Sequence, residues 1–347
     1  MVAEGRGGVA RRFLVFLTAG ICISAVIPAT AGANGEHSPA QWVHRPSLDH
    51  ARGGLGVATV RGRIYAIGGF RNEDVLAVTE SRRTSGRGEW HPVPPMHTAR
   101  SNHATAELGG RAYAIGGIDP GQRSLATVEA FDPERGRWLP APSLPEVRDG
   151  AGAASLDGVL YVVGGEAGPS SRVTGSVLTY RSAQRTWKPV AAMPTPRTRL
   201  RLVASEHFLY AIGGRGLDGA SLTTVERYDP RVNRWSSVAG MKESRLLPCA
   251  VETTVGGRKV LVVAGGVELA PGEVFVDGRR TSEVFDPARG RWKLLDALFP
   301  VVRGSHDCAT ESDGTVLAIG GETNVGNSFF FLDNVDALKL TPRDLRP

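Results

Sequence analysis

No catalytic signature interrupts this sequence: it contains no G-x-S-x-G, H-E-x-x-H or phosphate-loop pattern, which excludes the familiar serine-hydrolase, zinc-protease and nucleotide-cradling devices. Histidine is scarce, and His91, His97 and His103 stand six apart, matching no compact metal motif, so no metal or cofactor is expected. No long run of one charge occurs. The net charge of +6 comes from 41 Lys and Arg against 35 Asp and Glu spread along the chain, and a nucleic-acid partner would need a cluster. The apolar stretch Phe13–Ile27, broken by Thr18, Gly20 and Ser24, is shorter than the ~20 residues that span a bilayer, so no stable membrane insertion is expected. Arg6, Arg11 and Arg12 precede it, and Pro28 with the small-residue sites Ala29-Thr30-Ala31 and Ala31-Gly32-Ala33 follows. That is the order of an export signal, which predicts cleavage of residues 1–33, with an uncleaved anchor as the alternative. Arg11-Arg12-Phe13-Leu14 lacks the residue usual between a twin-arginine pair and Phe-Leu, so the ordinary secretory route to a periplasmic or extracellular site is preferred.

Glycine and proline are plentiful, 44 and 22, about one residue in five. With 41% hydrophobic residues the chain has material for a core, but the evenly spread breakers allow only short strands and tight turns. A repeat organises them. Apolar strands closed by Gly-Gly recur as Tyr65–Gly69, Tyr113–Gly117, Tyr161–Gly165, Tyr210–Gly214, Val262–Gly266 and Leu317–Gly321. In the first five units a tryptophan follows: Trp90, Trp138, Trp187, Trp235 and Trp292. Three units add an aromatic-Asp-Pro step before it, at Phe131–Pro133, Tyr228–Pro230 and Phe285–Pro287. Proline fixes φ there, and a Gly or Asn ahead of Trp tolerates positive φ, which suits a short turn.

These residues resemble the kelch repeat in six copies covering nearly the whole mature chain. The resemblance implies an all-β, six-bladed β-propeller, residues 34–347 as a single domain, with strand a innermost and strand d outermost. Unit one departs from the pattern at Ser81–Thr84 and unit three at Tyr180–Ser182. The sixth unit lacks a tryptophan, while Trp42 stands alone ahead of the first. Trp42 precedes Arg52 by the same ten residues that separate Trp90 from Arg100, so Gln41–Arg45 is expected to complete the last blade and close the ring. Cys22 belongs to the signal. Cys249 and Cys308 fall at equivalent places in blades five and six, and either bridge or stay two buried thiols.

The a–b turns are minimal, while the b–c loops vary most in length, so the b–c/d–a face and the channel mouth are where a site is expected. Six arginines, Arg52, Arg100, Arg148, Arg197, Arg245 and Arg303, recur at one position and read as scaffold. The candidates for ligand or partner binding are residues that break the repeat: Arg199, Arg201, Arg215, Glu166, His103, Asp307 and Glu322. Phe329-Phe330-Phe331 is either a contact patch or the start of a strand. The expected function is an exported, monomeric binding module for a protein or glycan. The alternative is a small-sugar epimerase or mutarotase at the channel mouth with Glu166 and Arg215 as catalytic groups, by resemblance to exported bacterial kelch proteins of the sialic acid mutarotase kind. Kelch-like copper radical oxidases need histidine ligands and a Tyr-Cys pair on a larger chain, so that chemistry is not expected.

Overall fold

The computed structural model describes residues 39–346 except 169, 273, 326 and 327; the predicted signal, residues 1–33, lies outside them. Six four-stranded antiparallel sheets form the six blades of a β-propeller. Blade 2 shows the plan: strand a Ala104–Leu108, b Arg111–Ile115, c Val128–Asp132 and d Arg137–Ala141. Strand b is apolar on both faces because neighbouring blades cover both, and Ala112–Ile115 are all buried. Strand d is outermost and half-covered, so buried Trp138 sits between exposed Arg137 and half-buried Leu139. The Gly-Gly pair is forced by close approach. Gly116 has φ 61°, and a Cβ there would lie 2.1 Å from the carbonyl oxygen of Arg148 in the next blade.

The sixth blade contains strands from both ends of the chain. Asp307–Thr310, Val316–Ile319 and Val335–Leu338 are joined by Trp42–Arg45, whose register runs from Trp42 opposite Leu338 to Arg45 opposite Val335. Trp42 is buried, stacks on Phe299 at 4.3 Å and donates its indole N–H to the Ser282 hydroxyl at 3.1 Å.

Blades are joined by a repeated aromatic contact. Tyr65 meets Phe131, Tyr113 meets Tyr180, Tyr161 meets Tyr228 and Tyr210 meets Phe285, with centroids 5.3 to 6.1 Å apart. On either side of blade 6 the series stops, because Val262 and Leu317 stand where the tyrosines were and Leu338 and Arg82 where their partners were. Other bonds hold these two seams. A disulfide links Cys249 of blade 5 to Cys308 of blade 6, Cα atoms 5.3 Å apart. The guanidinium of Arg82, which is buried, bonds Glu311 of blade 6 at 2.6 Å and the Gly86 carbonyl at 2.7 Å. The departure of unit one from the repeat is thus an ion pair substituted for an aromatic.

The six recurrent arginines are all buried and serve the scaffold. Arg100 donates to the carbonyls of Gly116 and Thr127 and to Glu129 on strand c, so one side chain ties the d–a loop to strands b and c. Arg197–Glu226, Arg245–Glu283 and Arg303–Asp336 repeat the pairing. Blade 3 has Leu178 at the acid position, and there Arg148 takes Glu146 from its own loop instead.

Candidate ligand-binding face

Two residues beyond each buried arginine the backbone turns left-handed: Gly54, Asn102, Gly150, Arg199, Leu247 and Ser305 all have φ between 50° and 62°. Amides and carbonyls at these positions bond from blade to blade around the axis, from the Ser305 carbonyl to Gly54, then to Asn102, Gly150, Arg199 and Leu247. This ring draws the channel mouth nearly shut. The cavity it leaves, lined by Asn102, His103, Arg199, Arg201 and Ser305 among others, measures ≈ 20 Å³, room for about one water. Left-handed backbone strains a non-glycine residue by about 1 kcal/mol or more, so Arg199, Leu247 and Ser305 are held there by the ring.

A second tier surrounds it. The residue after each Gly-Gly pair bridges the residue after each buried arginine, as in Gly53 with Phe70, Asp149 with Glu166, Thr198 with Arg215 and Gly304 with Glu322. In the b–c loops, whose lengths vary most in the sequence, this pairing carries strand b past its glycine kink and folds several of them into hairpins. The longest are Val267–Ala270 with Val274–Gly278 in blade 5 and Glu322–Val325 with Ser328–Phe331 in blade 6. Phe329-Phe330-Phe331 is therefore hairpin; strand c begins at Val335.

The candidate residues fall on these two tiers. Arg215 and Glu166 are both buried and bonded to one another at 2.7 Å across blades 4 and 3. Arg201 reaches across the axis, donating to the His306 carbonyl at 2.6 Å with its Nε 3.6 Å from Asp307. Asp307 accepts from the amides of Val57 and Cys308, and burial raises its pKa. Burial likewise raises Glu322, which takes the Ser305 hydroxyl and faces the charge of Arg199. Arg199 is half-buried on the ring, with no protein partner for its Nε among the described residues. These groups make a mixed-charge mouth whose members largely satisfy one another.

His103 is different: it is a wedge. It occupies the place held by Leu55 in blade 1 and Leu200 in blade 4, and it packs against Gly68 and Gly117 with neither ring nitrogen bonded to protein. Burial, with Arg100 and Arg201 adding repulsion, lowers its pKa to about 3. The unfolded chain binds the proton near 6.5, so this stabilisation is complete above that pH and is lost as pH falls toward 3. By pH 5 the loss from His103 amounts to about 2 kcal/mol. A His103→Leu variant is expected to lose several degrees less of melting temperature than the parent between pH 7 and pH 5. An equal acid shift in both would show that the ring stays neutral in neither state.

Exposed apolar side chains stand on this face; the sequence pointed to Phe329 and Phe330 as one side of an open choice, and gave no sign of Leu217 and Phe275. Leu217, Phe275, Phe329 and Phe330 are 71%, 48%, 67% and 51% exposed on the b–c segments of blades 4, 5 and 6. The segments of blades 4 and 5 are bonded together, Ser221 N to Leu269 O and Gly272 N to Asp218 O, so these positions are held by neighbouring backbone. Loop length was the available signal for blades 5 and 6.

A family model described as the KLHDC2/KLHL20/DRC7 Kelch-repeats domain matches residues 54–266 and 102–321. Human Kelch-like protein 34 is 32% identical over 166 residues, 44% of this chain and 24% of that protein. An F-box/kelch-repeat protein of Arabidopsis thaliana is 29% identical over 132 residues, 38% of this chain and 32% of that protein. The matched stretches thus span a third or less of these relatives. A solved structure titled "Structure of YjhT" superposes with a TM-score of 0.72 at 15% identity, covering 87% of this chain and 98% of the other.

Proposed function

The chain belongs to the kelch-repeat domain family, and on that premise we propose that it is an exported binding module that grips a protein partner with the b–c/d–a face. One observation carries this reading: blades 4 to 6 raise Leu217, Phe275, Phe329 and Phe330 into solvent on hairpins and loops of that face. Phenyl rings this exposed leave much of their apolar surface in water, and covering it with a partner would gain up to roughly 1.5–3 kcal/mol each. Export is supported by the N-terminal arrangement of arginines, apolar stretch and small residues, and by the Cys249–Cys308 disulfide, which suits an oxidising compartment. A glycan remains the other ligand class within this reading. The sugar-epimerase alternative would draw on the same mouth, where its two catalytic candidates, Arg215 and Glu166, are bonded to one another.

The test is affinity capture from the source cells with the wild type, a Phe329→Ser/Phe330→Ser variant and an opposite-face Arg234→Glu variant, alongside a glycan array. A partner held by the wild type and Arg234→Glu but lost by the phenylalanine variant is expected, with melting within about 0.5 kcal/mol of the parent because the residues are exposed. Partners retained equally by all three would place the site elsewhere. Acceleration of anomer exchange of an acidic sugar by the wild type would favour the enzyme.

A further inference from the structure

The a–b and c–d turns assemble a cationic surface that is invisible along the linear sequence. Each c–d turn of blades 1 to 5, counted with the strand residue on either side of it, carries at least two arginines. In blades 2, 4 and 5 the first is consumed locally, since Arg135, Arg231 and Arg289 neutralise the turn acids Asp132, Asp229 and Asp286. The second is left over. Arg137, Arg234 and Arg291, each just ahead of the strand-d tryptophan, are exposed, as are Arg87 and Arg185 in blades 1 and 3, and none of the five has an acidic partner among the described residues. Several acids of the same face are spoken for, Glu134 by Arg61, Glu252 by Lys259 and Asp313 by Lys339, which leaves Glu89, Glu107, Asp157, Glu206 and Asp344 against the larger number of arginines.

We propose that this face docks on an anionic lipid bilayer, leaving the b–c/d–a face pointing away from it. Two observations choose the bilayer over other polyanions. The cations are distributed round a ring of short turns rather than along a groove that could track a nucleic-acid or polysaccharide strand. Among exposed large apolar residues only Val232 lies in these turns, and the half-buried Phe208 beside them is already covered by the guanidinium groups of Arg227 and Arg231 rather than offered for stacking on bases or sugars. The attraction is electrostatic and superficial, worth about fivefold in partitioning for each arginine near an anionic surface and screened beyond ~10 Å at 0.1 M salt.

Co-sedimentation of the full chain with phosphatidylglycerol-containing and pure phosphatidylcholine vesicles tests it. Binding to the anionic vesicles is expected, released on raising salt from about 0.05 to about 0.5 M. The variant Arg137→Glu/Arg185→Glu/Arg234→Glu/Arg291→Glu should bind at least about 100-fold more weakly, with unchanged circular dichroism. Arg71→Glu/Arg172→Glu on the other face should bind like the parent. Should the fourfold variant fail to fold, Arg137→Glu and Arg234→Glu singly are each expected to weaken binding at least about fivefold. Equal binding to neutral vesicles retained by the arginine variants would assign the membrane to the N-terminal apolar segment and overturn the proposal. So would absence of vesicle binding in a protein that retains DNA or an acidic polysaccharide.

Discussion

Deletion of residues 34–46 is expected to abolish the single cooperative unfolding transition of this protein, or to lower its midpoint by well over 10 °C. The deletion removes the whole strand Trp42–Arg45 and its ladder to Val335–Leu338, and it exposes an edge in a sheet that otherwise has its full four strands. It also removes Trp42, whose indole is stacked on Phe299 and bonded to Ser282 of blade 5. Truncating a buried aromatic alone costs about 3–5 kcal/mol, and the lost ladder adds to it. Trp42→Ala therefore supplies the graded version, with a smaller fall in the same direction. Differential scanning calorimetry decides the matter: a truncated chain melting within a degree or two of the parent would mean that the ring does not depend on this closure.

Loss of the Cys249–Cys308 disulfide is expected to cost about 4 kcal/mol, the chain-entropy value for cysteines 59 residues apart. For a domain of this size that corresponds to a fall in midpoint of about 6 °C. The effect should be concentrated rather than diffuse, because the bond stands at a seam where Val262 and Leu338 have replaced the aromatic pair of other blades. Hydrogen exchange of the Cys249→Ala/Cys308→Ala variant should accelerate in Asp307–Thr310 and Val316–Ile319 more than in blades 2 and 3. Uniform acceleration would show that the aromatic series is not what distinguishes the seams. Alkylation of the denatured, unreduced protein checks the bond itself, since labels on both Cys249 and Cys308 would exclude it.

The repeat made blade number, strand order and closure legible without coordinates. Each blade is a local unit whose Gly-Gly pair, tryptophan and buried arginine recur at near-constant spacing, and the lone Trp42 could fill just one vacant strand-d position. The role of the six arginines was legible for the same reason, since six copies at one position must meet six copies of the same surroundings. Residues outside the repeat were a different matter. Arg215, Glu166 and Arg201 were recognisable as exceptions, but only the tertiary structure shows that they bond across blades and the channel axis, because their partners lie on other blades. The left-handed ring at the mouth was hidden because its residues range from Gly to Leu and share a backbone conformation rather than a side-chain chemistry. Charge shows the division most clearly. Read along the chain, the arginines form no run of the kind a nucleic-acid partner would need; in the propeller, turns about fifty residues apart are brought to one face, and what was dispersed in sequence becomes a cationic ring over blades 1 to 5.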